Sequence, residues 1–356
     1  MIAGDSALPA WDRIEGIPDP LENRALFGHD ATLDLMAAQY ASGKMHHAWL
    51  LSGPRGIGKA TLASRFAGHV FRHPDAPDAP QHYVRPPAND PVEAQLARGA
   101  HPNHLHMRRP WNHKSDKWRQ ELTVDEIRRT VSFFGKSAGE AGWRVAVVDT
   151  ADDLNPAAAN ALLKVLEEPP PKVLFLVLAH APKLLATIRS RCQKLQIRAL
   201  QIGDVVKALN SFGLAQSVSQ PDLELAAKLS QGSVRRAIVL LGNGGLALYQ
   251  NFAAIAASKP NLDWGQIHKL ASELSPVLAN ERYRLLLDIA HDYIARRIRG
   301  EAEPAGKLSP RQAAIGLAGW AGVWEKANRS AQLADTWNLD RKQVILNLFE
   351  ALHEAA

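Results

Sequence analysis

Leu33, Met36 and Tyr40 recur at helical spacing and predict an amphipathic helix over 31–46. Ala48 to Leu51 is a short apolar run of strand length, Gly53 to Gly58 is glycine-rich, and a second helix is expected from Ala60 to His69. Strand, loop and helix in that order open a parallel α/β sheet. The next segment, 71–120, breaks the pattern. Prolines at 74, 77, 80, 86, 87, 91, 102 and 110 predict an irregular insertion around a short helix at 90–98.

The alternation then resumes. Val124 to Phe134 reads as a helix and Val145 to Val148 as a buried strand. Asn155 can cap the following helix and Pro156 suits its first turn, where no amide donor is needed. That helix runs through Ala161–Leu166 and is stopped by Pro169, Pro170 and Pro171, and Val173 to Leu178 is another buried strand. Strands alternating with helices at this spacing predict a doubly wound sheet. Past residue 199 no strand is expected. Residues 203–245 read as three short helices broken near Gly213, Pro221 and Gly232, and 246–356 as long helices punctuated by Pro260, Pro276, Gly300 and Pro310. The expected division is an N-terminal extension (1–21), an α/β domain (22–198), a small helical domain (199–246) and a helical bundle (247–356).

Composition narrows the classes. The 356 residues hold 42 Lys+Arg and 36 Asp+Glu, with one cysteine, Cys192. A lone cysteine excludes an internal disulfide framework and any cysteine-built metal centre, and suggests a reducing compartment. The start, MIAGDSALPAWDRIEG, has no secretion-signal pattern, and no apolar run is long enough to span a membrane, so a cytoplasmic location without membrane contact is expected. Charge is uneven: residues 1–50 carry a net −4 and residues 51–200 a net +8. A basic middle suits a polyanion partner, or is simply a solvated surface.

The candidate chemistry lies between the first strand and its helix. Gly53-Pro54-Arg55-Gly56-Ile57-Gly58-Lys59 fits seven positions of a Walker A loop, in which backbone amides cradle phosphates and Lys59 reaches the outer ones. The alternative is a glycine-rich turn without nucleotide. The eighth position, whose hydroxyl would bind Mg²⁺, is Ala60, with Thr61 one residue late and rotated by about 100°. Asp149 ends a Walker B-like strand. Thr150 follows where an acid would polarise the attacking water. Asp152 and Asp153 read as turn and helix-start residues. Parts for holding phosphates are present and parts for cleaving them are missing.

The stretch Asn160-Ala161-Leu162-Leu163-Lys164-Val165-Leu166-Glu167-Glu168-Pro169-Pro170, followed by Ser190-Arg191-Cys192, resembles the clamp-loader branch of the AAA+ ATPases. Phe27-Gly28-His29, His47-Ala48-Trp49 and Gly232-Ser233-Val234-Arg235 look like the same branch, so the resemblance covers 20–245. Within the branch the chain is most similar to the delta-prime subunit family of the bacterial DNA polymerase III clamp loader. The resemblance implies an AAA+ P-loop parallel-sheet domain, a helical lid at 199–246 and an all-α collar at 247–356. It implies a DNA-replication protein of the DNA polymerase III holoenzyme: a stator in a five-subunit ring with gamma/tau and delta subunits, acting with the sliding clamp on primed DNA without sequence preference. Its own ATPase is expected to be absent or weak. An active motor of the gamma/tau type is the alternative.

The resemblance assigns Arg191 of the SRC motif as an arginine finger donated in trans, with Ser190 and Cys192 beside it. It assigns Gly53, Gly56, Ile57, Gly58, Lys59, Ala60, Thr61, Asp149 and Arg235, the lid arginine, to ATP or ADP, leaving Mg²⁺ open. Counting back from SRC, the polar γ-phosphate sensor of motor subunits falls on Leu178 and Ala179, both apolar. The four-cysteine zinc module that many relatives carry after the P-loop helix is replaced by the insertion with His73, His82, His101, His104, His106 and His113, so zinc is not expected and no metal ligand is assigned. In the bundle, Arg282–Ile298 has apolar residues at 285, 286, 289, 294 and 298 and a helix-ending cluster of Arg296, Arg297 and Arg299. Trp320 and Trp324, four apart, read either as core or as a contact with another subunit.

Overall fold

The computed structural model describes residues 11–135, 142–180, 186–242, 244–258, 261–301, 319–326, 329 and 340–354. Pro260 and Pro310 lie outside the described residues. The chain divides into two compact units, Met1–Leu214 with Gln231–Arg235, and Ala215–Ser230 with Arg236–Ala356.

In the first unit, β1 (Ala48–Ser52), β2 (His104–Met107), β5 (Arg144–Val148), β6 (Val173–Ala179) and β7 (Gln193–Gln196) form one sheet in the order β2-β5-β6-β1-β7. Every neighbouring pair is parallel. Each strand alternates between two core layers, because successive side chains point to opposite faces. From β1, Trp49 and Leu51 join the layer of α1 (Asp30–Ala41) and α2 (Lys59–Arg72), with Met36, Tyr40, Leu62 and Phe66. Ala48 and Leu50 join the layer of α4 (Val124–Gly135) and α5 (Pro156–Glu167), with Ile127, Leu162 and Leu166. All seven residues of β6 are buried, as expected of a strand covered on both faces.

Local signals account for several boundaries. Asn155 Oδ1 accepts the Ala158 N–H at 2.9 Å and Pro156 opens α5, the predicted cap. α1 stops at Ala41 instead of 46, since Gly43 lies beyond it in the left-handed region at φ +67°. The P-loop helix reaches Arg72, beyond the predicted His69.

The insertion is more ordered than its prolines suggest. Its short helix α3 (Pro91–Ala97) is capped by Asp90, whose Oδ1 accepts the Glu93 N–H at 2.8 Å. Glu93 is buried and pairs with Arg65 and, at 2.9 Å, with Arg72, both on α2. The insertion's segment His104–Met107 is β2, an edge strand of the main sheet, instead of loop. Leu105 and Met107 face the core while His104 and His106 alternate with them. A small antiparallel hairpin, β3 (Trp111–Asn112) with β4 (Lys117–Trp118), follows and pairs Trp111 with Trp118. β7 is likewise a strand the hydrophobic pattern does not predict, since only Leu195 of its four residues is partly buried.

α6 (Ala186–Ser190) precedes β7, and α7 (Ile202–Ser211) closes the first unit's continuous run. The second unit is helical: α8 (Gln220–Leu229), most of α9 (Val234–Leu241), α10 (Gly245–Ala257), α11 (Trp264–Leu274), α12 (Asn280–Ile298) and α13 (Arg341–Glu354). The predicted stripe of α12 is buried at Leu285, Leu286, Ile289 and Ile294, joined by Tyr283 and Tyr293. Arg296 is buried rather than solvated at the helix end. The tryptophan pair separates: Trp320 packs edge-on against Tyr293 at 6.1 Å, while Trp324 is exposed. Among the described residues, no single helix is long and apolar enough to cross a membrane.

Candidate functional site

The site collects at the carboxyl ends of the central strands, where open parallel sheets bind their ligands. β1 ends at Ser52, and the loop turns at once. A Cβ on Gly53 would sit 2.2 Å from the Ile197 carbonyl oxygen, so no other residue fits there, and its N–H donates to Ala179 O at 3.2 Å. Gly58 stands before α2 at φ +96°, a conformation L side chains rarely adopt. His29 Nε2 lies 2.7 Å from the Ile57 carbonyl oxygen and ties the loop to the chain before α1.

Lys59 is buried, and its Nζ donates to Gly53 O at 2.7 Å and Pro54 O at 2.6 Å. Burial pulls its amine down to about 8, against the opposing pull of Asp149 and Asp152. Thr61 is buried in the body of α2. Ala60, at the position of the metal-binding hydroxyl, has none.

Asp149 follows β5, and its N–H donates to Met107 O at 2.8 Å. Its carboxylate lies 3.3 Å from His106 Nε2. Burial pushes that carboxyl up, but the hydrogen bond and charge of His106, with His180 and Arg108, outweigh it and hold the group below its usual range. Thr150 is buried, with its hydroxyl 3.4 Å from Asp152 Oδ2. The same Asp152 oxygen accepts the His180 N–H at 2.5 Å. Asp153 takes two hydrogen bonds from Arg109, at 2.5 and 2.6 Å. Both acids are thus engaged by neighbouring elements.

At the end of β6, Leu178 and Ala179 are core residues, one in each layer. The polar side chain at that strand end is the next residue, His180. Burial and the nearby Lys59 cation pull its imidazole down to about 4. Its Nδ1 is buried with no hydrogen-bond partner among the described residues. His180 is not singled out by the sequence, and His106 only as one of the insertion's histidines, although the alternation of HLHM and the end of a strand are available signals.

Arg235 also comes to the loop. Its N–H donates to Gly56 O at 3.2 Å, and Ser233 Oγ donates to Arg55 O at 2.8 Å. The SRC residues stand apart from this cluster. Arg191 follows α6, half-exposed, with Nη2 2.5 Å from Glu167 Oε1 and Nη1 donating to Thr187 O at 3.1 Å. Ser190 Oγ donates to Thr187 O at 2.9 Å. Cys192 packs into the α4/α5 layer, and burial pushes its thiol up to about 11, so it is no nucleophile at neutral pH.

The insertion's histidines are spread among separate neighbours. His101 stacks on Phe71 at 3.9 Å, His104 is enclosed beside Phe71 and His106, and His106 faces Asp149. Among the described residues, no three His, Cys, Asp or Glu side chains converge as ligands for a metal.

Residues 28–201 match the family model described as DNA polymerase III, delta subunit. The DNA polymerase III subunit delta' of Pseudomonas aeruginosa is 36% identical over 149 residues, 41% of each chain. That of Escherichia coli is 29% identical over 265 residues, 73% of each chain. The tau subunit of Bacillus subtilis is 31% identical over 202 residues, 56% of this chain and 33% of that one. Among solved structures, a DNA polymerase III gamma subunit-related protein of Thermotoga maritima aligns over 94% of this chain and 99% of its own, at 16% identity and a TM-score of 0.42. That alignment is loose, and the AAA+ assignment rests on the parallel sheet, its phosphate-type loop and the family match. Residues 28–201, just under half of the chain, are thus similar to this family of DNA polymerase III subunits, delta' among them.

Proposed function

We propose that the chain is a non-hydrolysing subunit of the DNA polymerase III clamp loader, working in DNA replication in the cytoplasm. In this reading it braces a five-subunit ring with gamma/tau and delta subunits and helps load the sliding clamp on primed DNA. It offers Arg191 to ATP held by a neighbouring subunit. A guanidinium aimed at the γ-phosphate stabilises the charge that develops during hydrolysis.

Thr150 carries this reading. It occupies the position after Asp149, buried against Asp152, and Asp152 is itself held by the His180 amide. The position itself thus offers a hydroxyl, and no carboxylate, to orient a water. The loop's donors fit a phosphate chain nonetheless: Lys59, the amides of Gly56 to Ala60, Arg235 and the unpartnered His180 Nδ1 are the groups that would hold ATP or ADP. A bound nucleotide would supply negative charge that ties lid arginine to loop. Ala60 gives Mg²⁺ no hydroxyl.

Lys59 and Asp149, both at the site, favour the second reading, an active motor of the gamma/tau type. The two separate in one experiment. In the assembled loader, Arg191→Ala is expected to lower DNA- and clamp-stimulated ATPase, by as much as the ~10³–10⁵ attributed to arginine fingers at the affected site. The purified chain is expected to show no turnover. An unchanged rate in the assembled variant sinks the finger, and turnover by the purified chain that is lost in Lys59→Ala establishes the motor.

A further inference from the structure

The segment before the α/β domain lies on the phosphate loop. The Asp12 carboxylate is 3.9 Å from the Arg55 guanidinium of the loop and 3.7 Å from that of Arg235. The Arg235 guanidinium also donates to the Asp12 carbonyl oxygen. The Trp11 ring is covered by two guanidinium groups, Arg109 at 4.0 Å and Arg55 at 4.9 Å from its centroid. These three arginines come from positions far apart in the chain, and one carboxylate with one indole joins them. Opposite-charge pairing and cation–π stacking act on the same arginine.

Meanwhile the loop's own lysine is turned inward onto two loop carbonyls. The lid residues press closely on the loop, since a Cβ on Gly56 would lie 2.5 Å from both Arg235 Cβ and Ser233 Oγ. The loop is thus in the arrangement of a site whose anion is already supplied from within.

We propose that Trp11 and Asp12 are an intramolecular ligand of the loop: the carboxylate stands in for a phosphate between Arg55 and Arg235, and a nucleoside polyphosphate binds only by displacing it. This rests on reading the loop as an anion site and not on the finger assigned to Arg191. The chemistry favours displaceability. Asp12 brings one negative charge, and burial raises its carboxyl above the ordinary value even though Arg235 and Arg55 pull the other way. The two arginines therefore do not fully offset the loss of water, and docking leaves the ionised carboxylate under-compensated. A polyphosphate brings several charges to the same two arginines and to Lys59. A segment that occupies the site most of the time raises the apparent Kd by the reciprocal of the free fraction.

The experiment uses the full chain and N-methylanthraniloyl-ATP, followed by fluorescence without Mg²⁺. If the segment is docked in nine molecules of ten or more, Asp12→Asn tightens binding about tenfold or more. Trp11→Ala shifts it in the same direction. Lys59→Ala in the Asp12→Asn background removes binding. Both strap positions are partly exposed, so the single variants keep the fold, which a thermal melt verifies. As a second measurement, the emission difference between wild type and Trp11→Phe changes on adding ADP, reporting release of the indole. Equal or weaker binding by Asp12→Asn, no binding by either protein, or an unchanged Trp11 difference signal each overturns the proposal. Failure of the finger assignment would show only in the assembled loader.

Discussion

Arg191 is paired with Glu167 across 2.5 Å, and Glu167 is the last residue of α5. The residue proposed to reach into a neighbour is therefore held by its own subunit. Both side chains are more than a third exposed, at 37% and 48%. Exposed ion pairs contribute about 0–1 kcal/mol, so releasing the guanidinium to a phosphate costs little. Glu167→Gln is expected to raise the ATPase of the assembled loader by no more than about fivefold, the equivalent of 1 kcal/mol, and to leave the melting of the isolated chain nearly unchanged. A fall to the level of Arg191→Ala would instead make Glu167 a positioning residue.

The insertion should be strongly tied to the P-loop helix through Glu93. That carboxylate is buried between Arg65, itself buried, and Arg72. Gly68 leaves the room it needs, since a Cβ there would meet Glu93 Oε1 at 2.7 Å. Removing one partner strands a buried cation, so Glu93→Ala is expected to destabilise the first unit by about 3–5 kcal/mol. The double change Arg65→Met, Glu93→Leu should cost much less, because the buried Arg65 cation leaves with its partner and Arg72 keeps Asp90 at 3.6 Å. Denaturant unfolding of the full chain compares them. Similar losses in both would mean that packing, not the ion pair, holds α3.

Acid should weaken the fold through His69. Its ring is fully buried among Tyr40, Phe66, His73 and Tyr83, neither nitrogen has a hydrogen-bond partner among the described residues, and burial pulls it down to about 4. The unfolded chain takes up a proton near the ordinary value of 6.5 while the folded chain does not, so stability falls as pH drops from 6.5 toward 4. His69→Phe keeps the ring's volume and removes the proton site, and should flatten part of that acid limb. Melting temperatures at pH 7, 6, 5 and 4 test it; parallel losses in wild type and variant would assign the acid sensitivity elsewhere.

The sheet's middle was legible because β1, β5 and β6 are unbroken apolar runs, and α5 because Asn155 and Pro156 announce its start. The edges were not. β2 alternates His104 and His106 with Leu105 and Met107 over four residues amid prolines, and β7 has one partly buried side chain, so neither stands out as apolar. At the site, Lys59 and Asp149 announce themselves by spacing. Asp12, His106 and His180 do not, since each gains meaning only from what the fold sets beside it: Arg55 and Arg235, Asp149, and Lys59. Trp320 and Trp324 share a spacing, yet only Trp320 reaches Tyr293.

The place of β1 between β6 and β7 has a mechanical meaning. Gly53 N–H is bonded to Ala179 O on one side, and Ile197 N–H to Ser52 O at 2.7 Å on the other. β7, which ends one residue before Ile197, begins at Gln193, two residues after Arg191. Loop, sensor end and outward arginine are therefore riveted to one plate. If the chain works as proposed, such a plate would hold Arg191 at a constant bearing, and timing would come from the neighbour that brings its ATP toward it.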